Sequence, residues 1–231
     1  SDVCSSDLTD GTYAATLPGE ILATAVAAGD SLAVTRAVLD LVGSRELSTR
    51  SRELELAYRF FVGRADSANL ALLVEESRAQ AALDAGRVAF WHAVALDQLG
   101  RWQDALEILT GLLAGDGVSH GLTERQRAWV LTAVPDHLVI LGREDAAAPL
   151  YRALATSTLG ETALWARCQV AALDFLAGRF LEAGTAFEDL CGAKANARWR
   201  DYACGMATLS DEMERLRSEG EPHGAAALYE R

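Results

Sequence analysis

Four histidines are the first residues to test for chemistry, because imidazole is the side chain that gains and loses a proton near neutral pH. His92, His120, His137 and His223 are scattered along the chain, and no two have the spacing that sets two metal ligands on one helix face. His137 follows Asp136 and is the best acid–base candidate, although the pair reads as a surface pair on a helix. HExxH, paired CxxC and nucleophile-elbow patterns do not occur. The stretch 115–121, GDGVSHG, looks superficially like a phosphate cradle. It follows no strand, has the wrong glycine spacing and lacks a lysine, so it reads as a connector. Carboxylates are plentiful, but abundance alone assigns no general acid or base. No catalytic residue, metal or cofactor is therefore expected, and the chain reads as a non-enzyme.

The cysteines point the same way. Cys4 lies in residues 1–8, SDVCSSDL, which written back into codons resemble the end of a sequencing adaptor and are excluded from fold reasoning. Cys168, Cys191 and Cys204 then remain, an odd number without paired spacing. That argues against a disulfide framework and for a reducing, cytoplasmic setting. Cys168 sits in an apolar stretch and reads as core.

Composition narrows the partners. The net charge is -12, so nucleic acid and anionic membrane surfaces are disfavoured. Half the residues are hydrophobic, enough for a continuous core, and charged or amide side chains interrupt every apolar run before membrane-spanning length. Arg45, Arg50, Arg52, Arg59 and Arg64 form a locally basic stretch, but Glu46, Glu53 and Glu55 interleave with them, which predicts a solvated helix face.

The elements that would position any site are helices, and they recur. The stretch 90–113, FWHAVALDQLGRWQDALEILTGLL, holds a helix, a glycine turn and a second helix. Ala105, Ile108, Leu109 and Leu112 stand 5, 8, 9 and 12 residues beyond Gly100, on one helix face. Gly29, Gly142 and Gly178 are followed by the same pattern: Val34, Ala37, Val38, Leu41; Ala147, Leu150, Tyr151, Leu154; Ala183, Ala186, Phe187, Leu190. Gly220 starts it again with Ala225, Leu228 and Tyr229. Gly63 fits poorly, giving Ala68, Ala71 and Leu72 but Glu75 where a hydrophobe is expected. The successive glycine separations are 34, 37, 42, 36 and 42 residues, a period that signals stacked helical hairpins.

Several boundaries follow. Residues 9–19 read as irregular, with Pro18-Gly19 as a turn. Asp30 is placed to cap the second helix, and Thr123 with Gln126 to form a capping box. Pro135 should kink its helix or mark the start.

These residues resemble the tetratricopeptide-repeat family. The resemblance is clearest in Ala93, Leu96, Gly100, Trp102, Ala105, Leu109 and Leu112 and continues through Leu138, Gly142, Ala147, Tyr151 and Leu154 to Ala171, Gly178, Phe180, Ala183, Phe187 and Leu190. Pro135 inside a first helix, the unkept tryptophan position and the 42-residue spacers depart from the family pattern. The resemblance implies an all-α fold, an α-solenoid of about six antiparallel hairpins in a right-handed superhelix. Residues 9–231 form one such domain in this reading, a piece of a longer protein.

In repeats of this type, first-helix positions 13, 10, 6, 3 and 2 residues before the turn glycine face the concave surface. Here they include Arg87, Phe90, Asp97, Trp129, Asp136, Trp165 and Phe175, which would seat a peptide or partner helix. The same aromatics would serve equally as core between neighbouring hairpins. The lysine and asparagine set with which the family's chaperone-tail binders clamp a terminal carboxylate is missing. The expected function is a protein-interaction scaffold. The alternative is the sensory arm of a larger bacterial ATPase-linked transcription regulator, and an α-helical enzyme comes third.

Overall fold

A computed structural model describes residues 11–43, 47–83, 86–114, 121–157, 160–192 and 197–219. Eleven helices are found among them, and no strand: α1 (Gly11–Ala28), α2 (Ser31–Gly43), α3 (Leu47–Val62), α4 (Ser67–Leu83), α5 (Arg87–Gln98), α6 (Trp102–Ala114), α7 (Glu124–Ile140), α8 (Glu144–Ala155), α9 (Gly160–Leu176), α10 (Phe180–Gly192) and α11 (Ala197–Ser218). The fold is all-α. No helix among the described residues is long and apolar enough to cross a membrane.

The chain divides into two compact units, Ser1–His137 and Leu138–Arg231. In the first, α1 packs on α2 and α3, α2 on α3 and α4, α3 on α4 and α5, and α5 on α4 and α6. Its core includes Leu22, Val34, Leu54, Tyr58, Phe61, Leu70, Leu96 and Ala105. In the second, α9 packs on α8, α10 and α11, and α10 on α11, around Cys168, Phe175, Phe187, Leu190 and Met213.

One turn chemistry closes the helices in both units. At Gly100 (φ 71°) the chain enters the left-handed region, its N–H donates to the Asp97 carbonyl, and the Arg101 N–H reaches back to Leu96. The same two bonds and positive φ recur at Gly29, Gly142 and Gly178. The expected frame at Gly63 is corrected by the structure. There the left-handed residue is Ala65 (φ 51°), whose N–H donates to Val62 while Asp66 reaches back to Phe61. Counting from Ala65 instead, positions 5, 8, 9 and 12 are Leu70, Leu73, Val74 and Ser77, and all four are buried. Glu75, the misfit in the Gly63 frame, is exposed.

Burial refines the rest of the pattern. Position 5 is sealed in all five turns, by Val34, Leu70, Ala105, Ala147 and Ala183. Position 9 is equally closed by Val38, Val74, Leu109, Tyr151 and Phe187. Position 8 is not part of the core throughout, since Leu150 is exposed and Ile108 and Ala186 are half-buried. A frame at Gly220, with Ala225, Leu228 and Tyr229, lies outside the described residues, as does the connector at 115–120.

Local signals behave as polar chemistry dictates. Asp30 Oδ1 accepts from the Ala33 N–H at 3.0 Å, the expected cap. Thr123 and Gln126 exchange the two bonds of a capping box, at 2.8 and 3.2 Å. One proline reading is corrected, since helix α1 already runs from Gly11 through Pro18-Gly19. Of the two readings for Pro135, the helix start is excluded, because α7 runs through it. A proline inside a helix loses one backbone bond. At Gly19 the approach is close: a Cβ there would stand 2.8 Å from Glu53 Oε1 of α3.

Candidate functional site

The first unit places three buried polar side chains in contact. Tyr58 on α3, Ser77 on α4 and His92 on α5 are almost fully enclosed. Tyr58 Oη lies 2.5 Å from Ser77 Oγ and 2.6 Å from His92 Nδ1, and Ser77 Oγ donates to the Leu73 carbonyl at 2.6 Å. The hydrogens can be assigned by counting. A carbonyl cannot donate, so the serine hydrogen belongs to the Leu73 bond, the tyrosine hydrogen goes to Ser77, and the third bond needs a hydrogen on His92 Nδ1. His92 is thereby fixed as the Nδ1–H tautomer, and Nε2 keeps its lone pair. Burial, then the positive charges of Arg101 and Arg78, pull the His92 pKa down to about 4, against the smaller opposite pull of Glu75 and Asp104. The ring is neutral at pH 7. Burial also pushes the Tyr58 phenol well above its ordinary range.

His92 forms part of the wall of a cavity of about 380 Å³ between α4, α5 and α6. Val74, Ala89, Leu96, Ile108 and Leu112 give it apolar walls; Arg78, Arg101, Asp104 and Glu107 add charge, and Gly111 lines one side. Arg101 is held by Glu75 and by Asp104, the latter at 2.6 Å. Arg78 makes no ion pair among the described residues. Nε2 has no hydrogen-bond partner among the described residues, and the residue that carries it lines the cavity.

A second buried histidine has the opposite electrostatics. His137 is not the expected surface residue; it is buried because α7 turns this face inward. Its Nδ1 lies 2.5 Å from the Ala133 carbonyl, and its Nε2 lies 3.1 Å from Asp97 Oδ1, within ion-pair distance but off line for a hydrogen bond. Burial alone would lower its pKa. Asp97, the Ala133 carbonyl and Asp136 outweigh burial and hold it above the ordinary histidine value.

The expected groove residues are placed as follows. Arg87 is exposed and donates to Glu55 Oε1 at 2.8 Å. Phe90 is buried, its ring edge-on to Trp91 and to the half-buried Trp129 at 5.2 and 5.5 Å. Asp97 is engaged with His137, and Asp136 is half-buried on the same helix as that histidine. In the second unit Trp165 is half-buried against Tyr151 at 5.4 Å, and Phe175 is buried against Phe180 at 5.2 Å. Within the first unit the structure thus pairs Phe90 with Trp129 and Asp97 with His137, leaves Arg87 on Glu55, and none of the seven expected residues lines the cavity.

The basic stretch keeps the solvated face expected of it where it is described: Arg52, Arg59 and Arg64 are exposed, Arg59 lies beside the buried Glu55, and Arg64 stacks 4.1 Å above the Phe60 ring. The cysteine expectation is corrected. Cys191 and Cys204 form a disulfide joining α10 to α11, and Cys168 is buried as core. The 13-residue separation had no recognisable motif, and only the pairing of the two helices brings the sulfurs together. Among the described residues no cluster of three or more His, Cys, Asp or Glu could hold a metal ion. No protein-family model, curated protein or solved structure matches the chain.

Proposed function

We propose that the chain is a helical-repeat interaction module of the tetratricopeptide type, whose antiparallel hairpins stack as an α-solenoid and bind a peptide or helix of a partner protein. The observation that carries this reading is the five-fold recurrence of one capped turn with the same buried positions after it. A hairpin of this size cannot bury its own apolar face, so repetition implies stacking, and stacking creates a continuous binding surface. Arg87, Asp97, Trp129 and Asp136 in the first unit and Trp165 in the second are the binding residues in this reading, with the half-buried tryptophans as anchors, while the buried Phe90 and Phe175 serve as core. The net charge of -12 favours a protein partner over nucleic acid or membrane. A cytoplasmic setting belongs to the same reading, although Cys191–Cys204 removes the cysteine argument for it.

The test is selection from a displayed peptide library, followed by photo-crosslinking from p-benzoylphenylalanine placed at Trp129 and at Trp165. Selected peptides should crosslink at one or both positions and compete with one another. Peptides that crosslink at neither, or a library that yields no saturable binder, would overturn the proposal.

A further inference from the structure

The cavity between α4, α5 and α6 combines features that select a ligand. Val74, Leu96, Ile108 and Leu112 give it aliphatic walls beside four charged side chains, and the enclosed His92 lines it with an Nε2 that has no hydrogen-bond partner among the described residues. The hydrogen count made above leaves that atom a lone pair, so it needs a donor. A carboxylate brings no hydrogen. An ammonium brings one but also an extra charge, on a wall where Arg78 and Arg101 already balance Asp104 and Glu107 and where Arg101 is paired with Asp104 and with Glu75. A neutral N–H or O–H remains. The two guanidinium groups on the wall further favour an aromatic body over an aliphatic one, because a ring face attracts a cation. The volume of about 380 Å³ falls in the range of small-molecule sites, roughly 300–1,000 Å³.

We propose that this cavity binds a small neutral aromatic group carrying one hydrogen-bond donor, of the indole or phenol class, with the donor on His92 Nε2. The site is independent of the proposed groove, since no groove residue lines it. The same chemistry is available from a free molecule or from a tryptophan or tyrosine side chain of a peptide.

The experiment titrates the full chain with indole, with N-methylindole, which lacks only the donor, and with N-acetyl-tryptophanamide. Long-range proton–nitrogen NMR follows the His92 ring nitrogens. Indole should bind saturably and move the Nε2 resonance, while N-methylindole should bind about tenfold more weakly. Gly111 supplies a blocking variant that keeps the fold: it is exposed and helical, and a Cβ there meets nothing within 4 Å. Gly111→Leu should fill the cavity and abolish indole binding. Tighter binding of N-acetyl-tryptophanamide than of indole identifies a peptide side chain as the occupant, and the reverse order identifies a free molecule; both support the site. No saturable indole binding, equal affinity for indole and N-methylindole, a static Nε2 resonance at saturation, or undiminished binding by Gly111→Leu would each overturn it.

Discussion

His92 Nδ1 donates to Tyr58 Oη across 2.6 Å, and this direction is imposed through Tyr58 by Ser77 on α4, which has already given its hydrogen to Leu73. Removing different members of the chain therefore has different consequences. Tyr58→Phe leaves the buried His92 N–H without an acceptor and should cost about 1–3 kcal/mol. Ser77→Ala frees the tyrosine hydrogen to turn toward Nδ1, so it should cost less than about 1 kcal/mol and move the histidine hydrogen to Nε2. Urea unfolding measures the first effect and nitrogen chemical shifts the second. A Ser77→Ala chain that keeps the Nδ1–H tautomer would refute the hydrogen assignment.

The two buried histidines should bend the stability profile in opposite directions. His92 titrates near 4 in the folded chain and near 6.5 when unfolded, so the unfolded state binds more protons between those values. Stability from this group is complete above 6.5 and is lost as pH falls toward 4, by up to about 3 kcal/mol. His137 has a raised folded pKa, so its contribution is complete below 6.5 and is lost as pH rises through the folded value. The joint contribution is greatest near pH 6.5. Unfolding free energies across pH 4–8 should show both limbs, and His137→Asn should remove the alkaline one alone.

Ala65 and Gly100 close equivalent turns, but only the glycine does so without strain. Ala65→Gly should stabilise the chain by about 0.5–1 kcal/mol, as relief of the left-handed conformation exceeds the added unfolded-state freedom. Gly100→Ala should lose about 1 kcal/mol. A Cβ at Gly100 touches only the Trp102 side chain, at 4.0 Å, so crowding would not explain that loss. Thermal melts of the two variants should shift in opposite directions.

The same pair shows what could be read from sequence. Gly29, Gly100, Gly142 and Gly178 were legible because a glycine before an apolar face has a local cause, the left-handed turn. At Ala65 the conformation is imposed by packing, and the nearby Gly63 drew the frame two residues out of register. Correcting it changes the first separations from 34 and 37 residues to 36 and 35, and turns Glu75 from a misfit into an exposed residue. The cavity was illegible for a different reason. Tyr58, Ser77 and His92 lie on three helices, 19 and 34 residues apart, and each alone resembles an ordinary polar residue. One signal was available: in the Ala65 frame Ser77 takes a core position that leucine fills in three other turns, at Leu112, Leu154 and Leu190. A polar residue at a core position asks for buried partners.

The disulfide makes the last prediction. Cys191 closes α10 and Cys204 lies early in α11, with the two Cα atoms 4.9 Å apart. Gly184 allows the same helices to approach closely, since a Cβ there would stand 3.3 Å from both Ser210 and Asp211. The two contacts fix α11 on α10 at separate points along α10. Crosslinking positions 13 apart removes unfolded-state freedom worth roughly 3 kcal/mol. Reductant should therefore lower the thermal midpoint of the wild-type chain and leave a Cys191→Ser/Cys204→Ser double variant unmoved. Cys168 does not confuse the measurement, because it is fully buried and its thiol is pushed up by that burial, so it reacts slowly in the native state. If reduction leaves the wild-type midpoint unchanged, the bond contributes nothing to holding α10 and α11 together, and their packing alone accounts for the second unit.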